Sequence, residues 1–136
     1  MMKVQFTVTG EPQGKARPRI LRNGRAYTPK KTADYENRIR RAFTAAGGEL
    51  TAHPVTVRIA AYYQIPKSAS RARRAEMLEG VTLPTKKPDA DNVAKVVCDA
   101  MNGIAYKDDA QVCELHVMKY YAAVPMIVVT VSELIQ

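Results

Sequence analysis

Five of the six aspartates in this sequence (Asp89, Asp91, Asp99, Asp108 and Asp109) fall between Lys86 and Gln111, in a chain whose formal net charge is +8. Carboxylates crowded into one stretch repel each other, so the arrangement is costly unless a cation or an ammonium group sits among them. Pro88 disfavours helical backbone at Lys87, so the chain enters extended and Asp89 and Asp91 project to the same side. A helix should follow. At about 100° per residue, Val93, Val96, Val97, Ala100 and Met101 make an apolar stripe, with Asp91, Lys95, Cys98 and Asn102 opposite. Asn102-Gly103 suits the helix end, and Tyr106-Lys107-Asp108-Asp109 then turns into a strand starting near Gln111. If that strand starts beside the helix entrance, Asp108 or Asp109 joins Asp89 and Asp91. Three carboxylates with Lys95 nearby would form an all-oxygen site for a hard divalent cation such as Mg2+.

Each residue also has a plainer role open to it. Asp91 could cap the helix, Asp91 and Lys95 could be a surface ion pair, and Asp108-Asp109 could be turn residues. The charge distribution bears on the choice. Between Pro12 and Ala33 lie seven basic residues (Lys15, Arg17, Arg19, Arg22, Arg25, Lys30, Lys31) and no acidic one. From Lys67 to Lys87 lie six more (Lys67, Arg71, Arg73, Arg74, Lys86, Lys87) against Glu76 and Glu79. Two basic runs flanking an acidic centre, in a chain of pI near 9.7, point to a polyanionic partner and to nucleic acid in particular.

The stretch Pro88-Asp89-Ala90-Asp91-Asn92, with Lys95 and Asp99 at helical spacing and Asp108-Asp109-Ala110-Gln111-Val112 before a strand, resembles the core signature of RusA-type Holliday-junction resolvases. Gly14-Lys15-Ala16-Arg17-Pro18-Arg19 and Thr28-Pro29-Lys30-Lys31-Thr32 extend the resemblance towards the phage and prophage branch, with Ala90 smaller than the leucine or isoleucine common at its place. The resemblance implies a small homodimeric, Mg2+-dependent endonuclease acting on four-way DNA junctions, with Mn2+ able to substitute and no organic cofactor. Position by position it makes Asp89, Asp91 and Asp109 the metal ligands and Lys95 the catalytic lysine; by their places in the chain, Asp99 would orient Lys95 from the next helical turn and Asp108 would support the ligands.

The expected chemistry is metal-assisted phosphodiester hydrolysis, in which Lys95 neutralises charge on the transition state or positions water. Lys15, Arg17, Arg19, Arg22, Arg25, Lys30, Lys31, Arg71, Arg73, Arg74, Lys86 and Lys87 would hold DNA phosphates. Two other classes compete with this reading: a non-catalytic nucleic-acid-binding regulator, and a magnesium nuclease acting on flaps or single strands.

The elements that must position these residues follow from patterning. A chain of 136 residues with 46% hydrophobic content predicts one globular domain spanning 1–136. Lys3 to Thr9 alternates as a strand, and Asn23-Gly24 predicts a two-residue hairpin pairing Ile20-Leu21 with Ala26-Tyr27. Thr32 is the expected cap of a helix carrying Tyr35, Ile39, Ala42, Phe43 and Ala46, with Asp34 and Glu36 in its first turn. Val55 to Ile65 reads as the longest strand, and Ser68 to Glu79 as a short helix or a partly mobile arm. Val112 to Tyr121 and Met126 to Val131 read as a hairpin joined by about four residues. The expected fold is α+β, a single-layer mixed sheet with helices on one face and the acidic helix crossing between strands.

Cys98 and Cys113 have no zinc-site spacing and are expected to be buried thiols, the alternative being zinc ligation with His116. No apolar run is long enough to span a membrane and the N-terminus reads as a strand, so a cytoplasmic location is expected.

Overall fold

The computed structural model describes residues 2–134 and has a mixed four-stranded sheet at its centre. The elements are β1 (Lys3–Thr9), β2 (Arg19–Ile20), β3 (Ala26–Tyr27), α1 (Lys30–Ala45), β4 (Val55–Gln64), α2 (Arg71–Leu78), α3 (Ala90–Ala100), β5 (Val112–Ala122) and β6 (Met126–Glu133). The sheet order is β1-β6-β4-β5, and β2 with β3 forms a separate ribbon.

Alternation along the strands builds the core. Val4, Phe6 and Val8 of β1 pair with Val131, Val129 and Ile127 of β6, which in turn face Val57, Ile59 and Ala61 of β4. All nine are buried, and they join Tyr35, Ile39 and Phe43 of α1 and Val93, Val96, Val97 and Ala100 of α3 in one cluster. Phe6 meets Phe43 edge to face at 6.1 Å. The opposite strand positions include the exposed Gln5, Thr7 and Arg58, so α1 and α3 cover one face of the sheet, as expected.

The expected hairpin between the last two strands does not form. β5 runs parallel to β4, β6 runs antiparallel to β4, and β4 lies between them. Ala123, Val124 and Pro125 instead carry the chain over the end of β4, where Ile65 donates its amide to Ala122 and Gln64 its side-chain amide to Ala123. Crossing two strand spacings takes about 10 Å, which four Cα steps cover easily, so linker length alone did not require β5 and β6 to be neighbours. β4 takes the centre because its inward residues are fully buried and both its edges can be paired. The parallel β4–β5 pair then requires a crossover, and α3 lies in it.

Three local expectations also change. The β2–β3 ribbon pairs Arg19 with Tyr27 and Ile20 with Ala26, and Leu21 bonds Arg25 across a loop of Arg22, Asn23 and Gly24. Gly24 donates its amide to Leu21 with φ of 84°, so it closes a three-residue loop instead of a two-residue one. α1 starts at Lys30 behind Pro29, leaving Thr32 buried inside the first turn and placing Asp34, beyond that turn, in an exposed pair with Lys30. Ser70 caps α2 by accepting the Arg73 amide, so this segment is a helix.

Behind α3, the wholly buried Tyr106 donates its hydroxyl to the Cys98 carbonyl at 2.7 Å, fastening the turn before β5 to the helix. Cys98 is consequently buried although its spacing puts it on the polar face, and burial pushes its thiol up to about 11. Cys113 is exposed, against expectation, because it lies on the edge strand. Tyr106→Phe should cost about 1–3 kcal/mol, since it leaves a buried carbonyl without its donor. Urea unfolding checks this, and an unchanged midpoint would show that water replaces the hydroxyl.

Candidate active site

The entrance to α3 is held from below by the sheet. Tyr63 donates its hydroxyl to the Pro88 carbonyl at 2.6 Å, and Lys119 donates to the Lys86 carbonyl at 2.7 Å with its ammonium 4.9 Å from the centre of the Tyr63 ring. Burial, with Glu11 and Asp89 nearby, pushes the Tyr63 phenol up to about 12, so it remains a neutral donor. Asp89 occupies the N-cap in extended conformation, but its side chain makes no capping hydrogen bond. Asp91 follows in the first turn, exposed. The capping role open to Asp91 from sequence is therefore not taken, and among the described residues Asp91 and Lys95 form no ion pair.

Asp91, Lys95, Asp99 and Asn102 succeed one another down one face of α3, and the first three line an open cleft of about 1160 Å3. The opposite wall is the Pro12–Arg19 loop, with Lys31 at its margin. The two walls meet at Gly14. A Cβ there would lie 2.3 Å from Asn92 Nδ2 and 3.1 Å from Pro88 Cβ, so only glycine fits without displacing Asn92. Lys15 bonds its amide to the Asn92 carbonyl and its ammonium to Glu36 Oε2 at 2.8 Å and Asp99 Oδ2 at 3.5 Å. Burial works against this ammonium, yet Glu36 and then Asp99 hold its pKa above the usual lysine value. Lys15 was expected on DNA phosphates. It is instead committed to two carboxylates, with its side chain 16% exposed.

At the other end of α3, Asp108 caps a short 3-10 turn (Asp109–Gln111) by accepting the Ala110 amide at 2.9 Å. Gln111 anchors that turn to Thr51 and His53. Asp109 turns towards Asp99 and Asn102. Burial, then Asp99 and Asp108, raise its pKa above the ordinary carboxylate range. Asp91 and Asp99 are eight residues apart, roughly 12 Å along a helix axis. Carboxylates are thus strung along the helix, with Asp109 beside Asp99. Among the described residues no group of three His, Cys, Asp or Glu side chains is placed to hold a metal ion, which covers both the acidic set and the zinc alternative.

The remaining basic residues divide by place. Arg17 and Arg19 are exposed on the cleft wall, and Arg22 and Arg25 on the ribbon. Lys30 and Lys31 lie exposed at the start of α1, Arg71 and Arg73 exposed on α2, and Lys86 and Lys87 exposed before α3. Arg74 reaches back to the Pro66 carbonyl, and Lys86 sits over the Tyr121 ring.

The family model for endodeoxyribonuclease RusA matches residues 9–132, which include both cleft walls and the Asp108-Asp109 turn. This chain belongs to the RusA endodeoxyribonuclease family. The uncharacterized protein YqaN of Bacillus subtilis (strain 168) is 35% identical over 136 residues, covering 96% of each chain. Family membership identifies a nuclease, a hydrolase of DNA phosphodiesters, and connects it to DNA recombination. No helix among the described residues is long and apolar enough to cross a membrane.

Sequence reasoning missed the roles of Gly14, Glu36, Tyr63 and Lys119. Only Gly14 carried a local signal, a glycine beside a basic run, whereas the other three depend on contacts between distant elements. The Asp109 environment yields a prediction with a defined sign. Its raised pKa means that the folded chain binds the proton more tightly than the unfolded chain does. The resulting penalty is present at neutral pH and disappears as pH falls below the ordinary carboxylate range. In EDTA, Asp109→Asn should raise Tm at neutral pH and leave it unchanged in acid. A lower neutral Tm would show that the carboxylate holds the turn together.

Proposed function

We propose that this protein is a divalent-cation-dependent endonuclease that resolves four-way DNA junctions in the cytoplasm, as a homodimer making paired cuts. The observation that carries the reading is the cleft itself. One wall presents Asp89, Asp91 and Lys95, none engaged in a cap or an ion pair among the described residues, and the other presents Arg17 and Arg19. Acidic groups left without partners in a chain of net charge +8 are suited to a cation, and exposed arginines to phosphate.

By donor chemistry alone, Asp89, Asp91 and Asp109 offer only oxygen, which favours Mg2+ or Mn2+ over zinc, although the three are not grouped around one point in this structure. When bound, such an ion supplies an activated water and a counter-charge for the leaving oxygen. The chain's own residues do the rest. Lys95, one turn beyond Asp91, places its ammonium where phosphate charge grows, in a cleft that Asp91 alone would make repulsive. Tyr63 and Lys119 fix the backbone that sets the direction of Asp89. Asp109 leans on Asp99 and must move away from it to join the other two carboxylates.

Arg17, Arg19, Lys31 and Lys87 line the cleft, and the exposed Arg22, Arg25, Lys30, Arg71, Arg73 and Lys86 offer further phosphate contacts. A four-way junction has approximate twofold symmetry, so two matched cuts call for two copies related by a twofold axis. The separation of Asp109 from Asp91 favours one competing reading, DNA binding without cleavage.

Incubating the protein with labelled four-way junction, flap and linear duplex, in Mg2+ or in EDTA, decides between them. Paired symmetric cuts in the junction, dependent on the metal, are expected. Binding without cutting any substrate would establish the second reading, and equal cutting of linear duplex would remove junction selectivity. Asp91→Asn should lower cutting by at least the roughly 100-fold that losing an outer partner of a metal site can cost. It should leave junction affinity intact or tighter, because negative charge beside phosphate is removed. Arg17→Ala should flatten the salt dependence of binding by about 0.9 log units, the share of one phosphate that the guanidinium no longer neutralises.

A further inference from the structure

Lys15 stands where three elements meet, and the nuclease reading gives it no role beyond charge. Its ammonium spans Glu36 of α1 and Asp99 of α3, while its own backbone belongs to the loop that carries Arg17 and Arg19. All three side chains are partly shielded, with exposures of 16% for Lys15, 15% for Glu36 and 27% for Asp99. We propose that Lys15 is a positioning residue for strand cleavage: through Glu36 and Asp99 it clamps the arginine-bearing loop across the catalytic helix, and it does not touch DNA. The proposal rests on the nuclease reading for its consequence and on geometry alone for the clamp.

The geometry carries it in three steps. First, the loop has few other ties to α3: the Lys15 amide on the Asn92 carbonyl at 3.3 Å, and Gly14 packed on Asn92 and Pro88. Both are short-range contacts that hold only while the loop lies flat on the helix. Second, Lys15 is the ion partner that α3 has on this face among the described residues. Without it, Asp99 would stand beside Asp109 and Asp108 with no compensating charge, and the last turn of α3 would be pushed away from the Asp108-Asp109 turn. Third, an ammonium has three protons to donate, and two carboxylates already occupy it. A phosphate would have to compete with Glu36 at 2.8 Å and Asp99 at 3.5 Å for that ammonium.

The consequence is that Lys15 acts on the rate of cutting more than on the grip. A loop displaced by about 1 Å moves Arg17 and Arg19 relative to Asp91 and Lys95, and misplacement of that size can cost on the order of 100-fold in rate. Lys15→Met, Lys15→Arg and Glu36→Gln test this with three readouts. These are single-turnover cleavage at saturating four-way junction in Mg2+, the salt slope of junction binding, and hydrogen exchange of the backbone amides at 14–16 without DNA. Lys15→Met should slow cleavage by on the order of 100-fold. Its salt slope should remain that of the parent, and the loop amides should exchange faster. Glu36→Gln should move rate and exchange in the same direction, and Lys15→Arg should restore most of both.

A salt slope reduced by about 0.9, with the saturated rate unchanged, would make Lys15 a phosphate ligand and overturn the proposal. So would loop amides whose exchange is unaffected by both Lys15→Met and Glu36→Gln. The exchange readout needs no cleavage. A parent protein that binds junctions and cuts nothing would therefore sink the nuclease reading while the clamp was still judged by its own measurement.

Discussion

The apolar stripe of α3 governs the whole site, because a helix that must bury one face has no freedom over what its other face presents. Val93, Val96, Val97 and Met101 are wholly buried, and Ala100 nearly so, against the sheet and α1. Rotating the helix by one residue would carry several of these side chains into water, at roughly 1.5–3 kcal/mol for each large one. Asp91, Lys95 and Asp99 therefore face the cleft by default. The spacing that packs the core also orders the chemistry, with acid and base a turn apart and a second acid a turn further on. The crossover between parallel β4 and β5 then sets the helix ends. Asp89 arrives above the end of β4 at Tyr63, and Asp109 enters beside the start of β5.

This geometry explains which parts were legible beforehand. Periodicity is a local property, so β1, β4 and the apolar face of α3 could be read from the order of residues, and so could the charge contrast between Lys86–Gln111 and its flanks. Strand partnership is not local. Ala122 to Pro125 has a length suited to a hairpin, and nothing in those residues shows that β4 will come between the strands on either side. Cys113 looked buried because cysteines commonly are, but it lies on an unpaired edge, a position decided by sheet order. Thr32 was displaced as a cap because Pro29 already suits the entry to α1 earlier in the chain. Side-chain partners were the least legible. A count of basic residues makes Lys15 one of seven, and only the fold shows it held by Glu36 and Asp99 while Arg17 and Arg19 stay exposed.

The acidic residues divide by the same logic. Asp108 is consumed in a turn and Asp99 in an ion pair, so two of the five clustered aspartates have structural work. Asp89 and Asp91 have none, and an unengaged carboxylate at a helix start is more informative than a crowded one. The helix dipole eases their charge by only about 0.3–1 kcal/mol each. A cation-dependent nuclease, as proposed, needs such groups beside the cleft, and a cation there would not first have to break other interactions of theirs.

Asp109 sets the terms on which the carboxylates act together. It shares its surroundings with Asp99, whose charge is already offset by Lys15, and Lys15 is anchored in turn by Glu36. The run from Glu36 through Lys15 and Asp99 to Asp109 alternates in sign until its last step, where two acids meet. Repulsion at that step is relieved either by a proton on the pair or by movement of Asp109 towards positive charge elsewhere. Within the cleft, Lys95 offers such a charge, towards the start of α3. The Asp108-Asp109 turn is tied down on its far side by Gln111, so what freedom it has lies on the side facing the helix. On the proposed nuclease reading, that repulsion would favour a displacement of Asp109 towards Asp89 and Asp91, the one that brings the third carboxylate nearer to the other two.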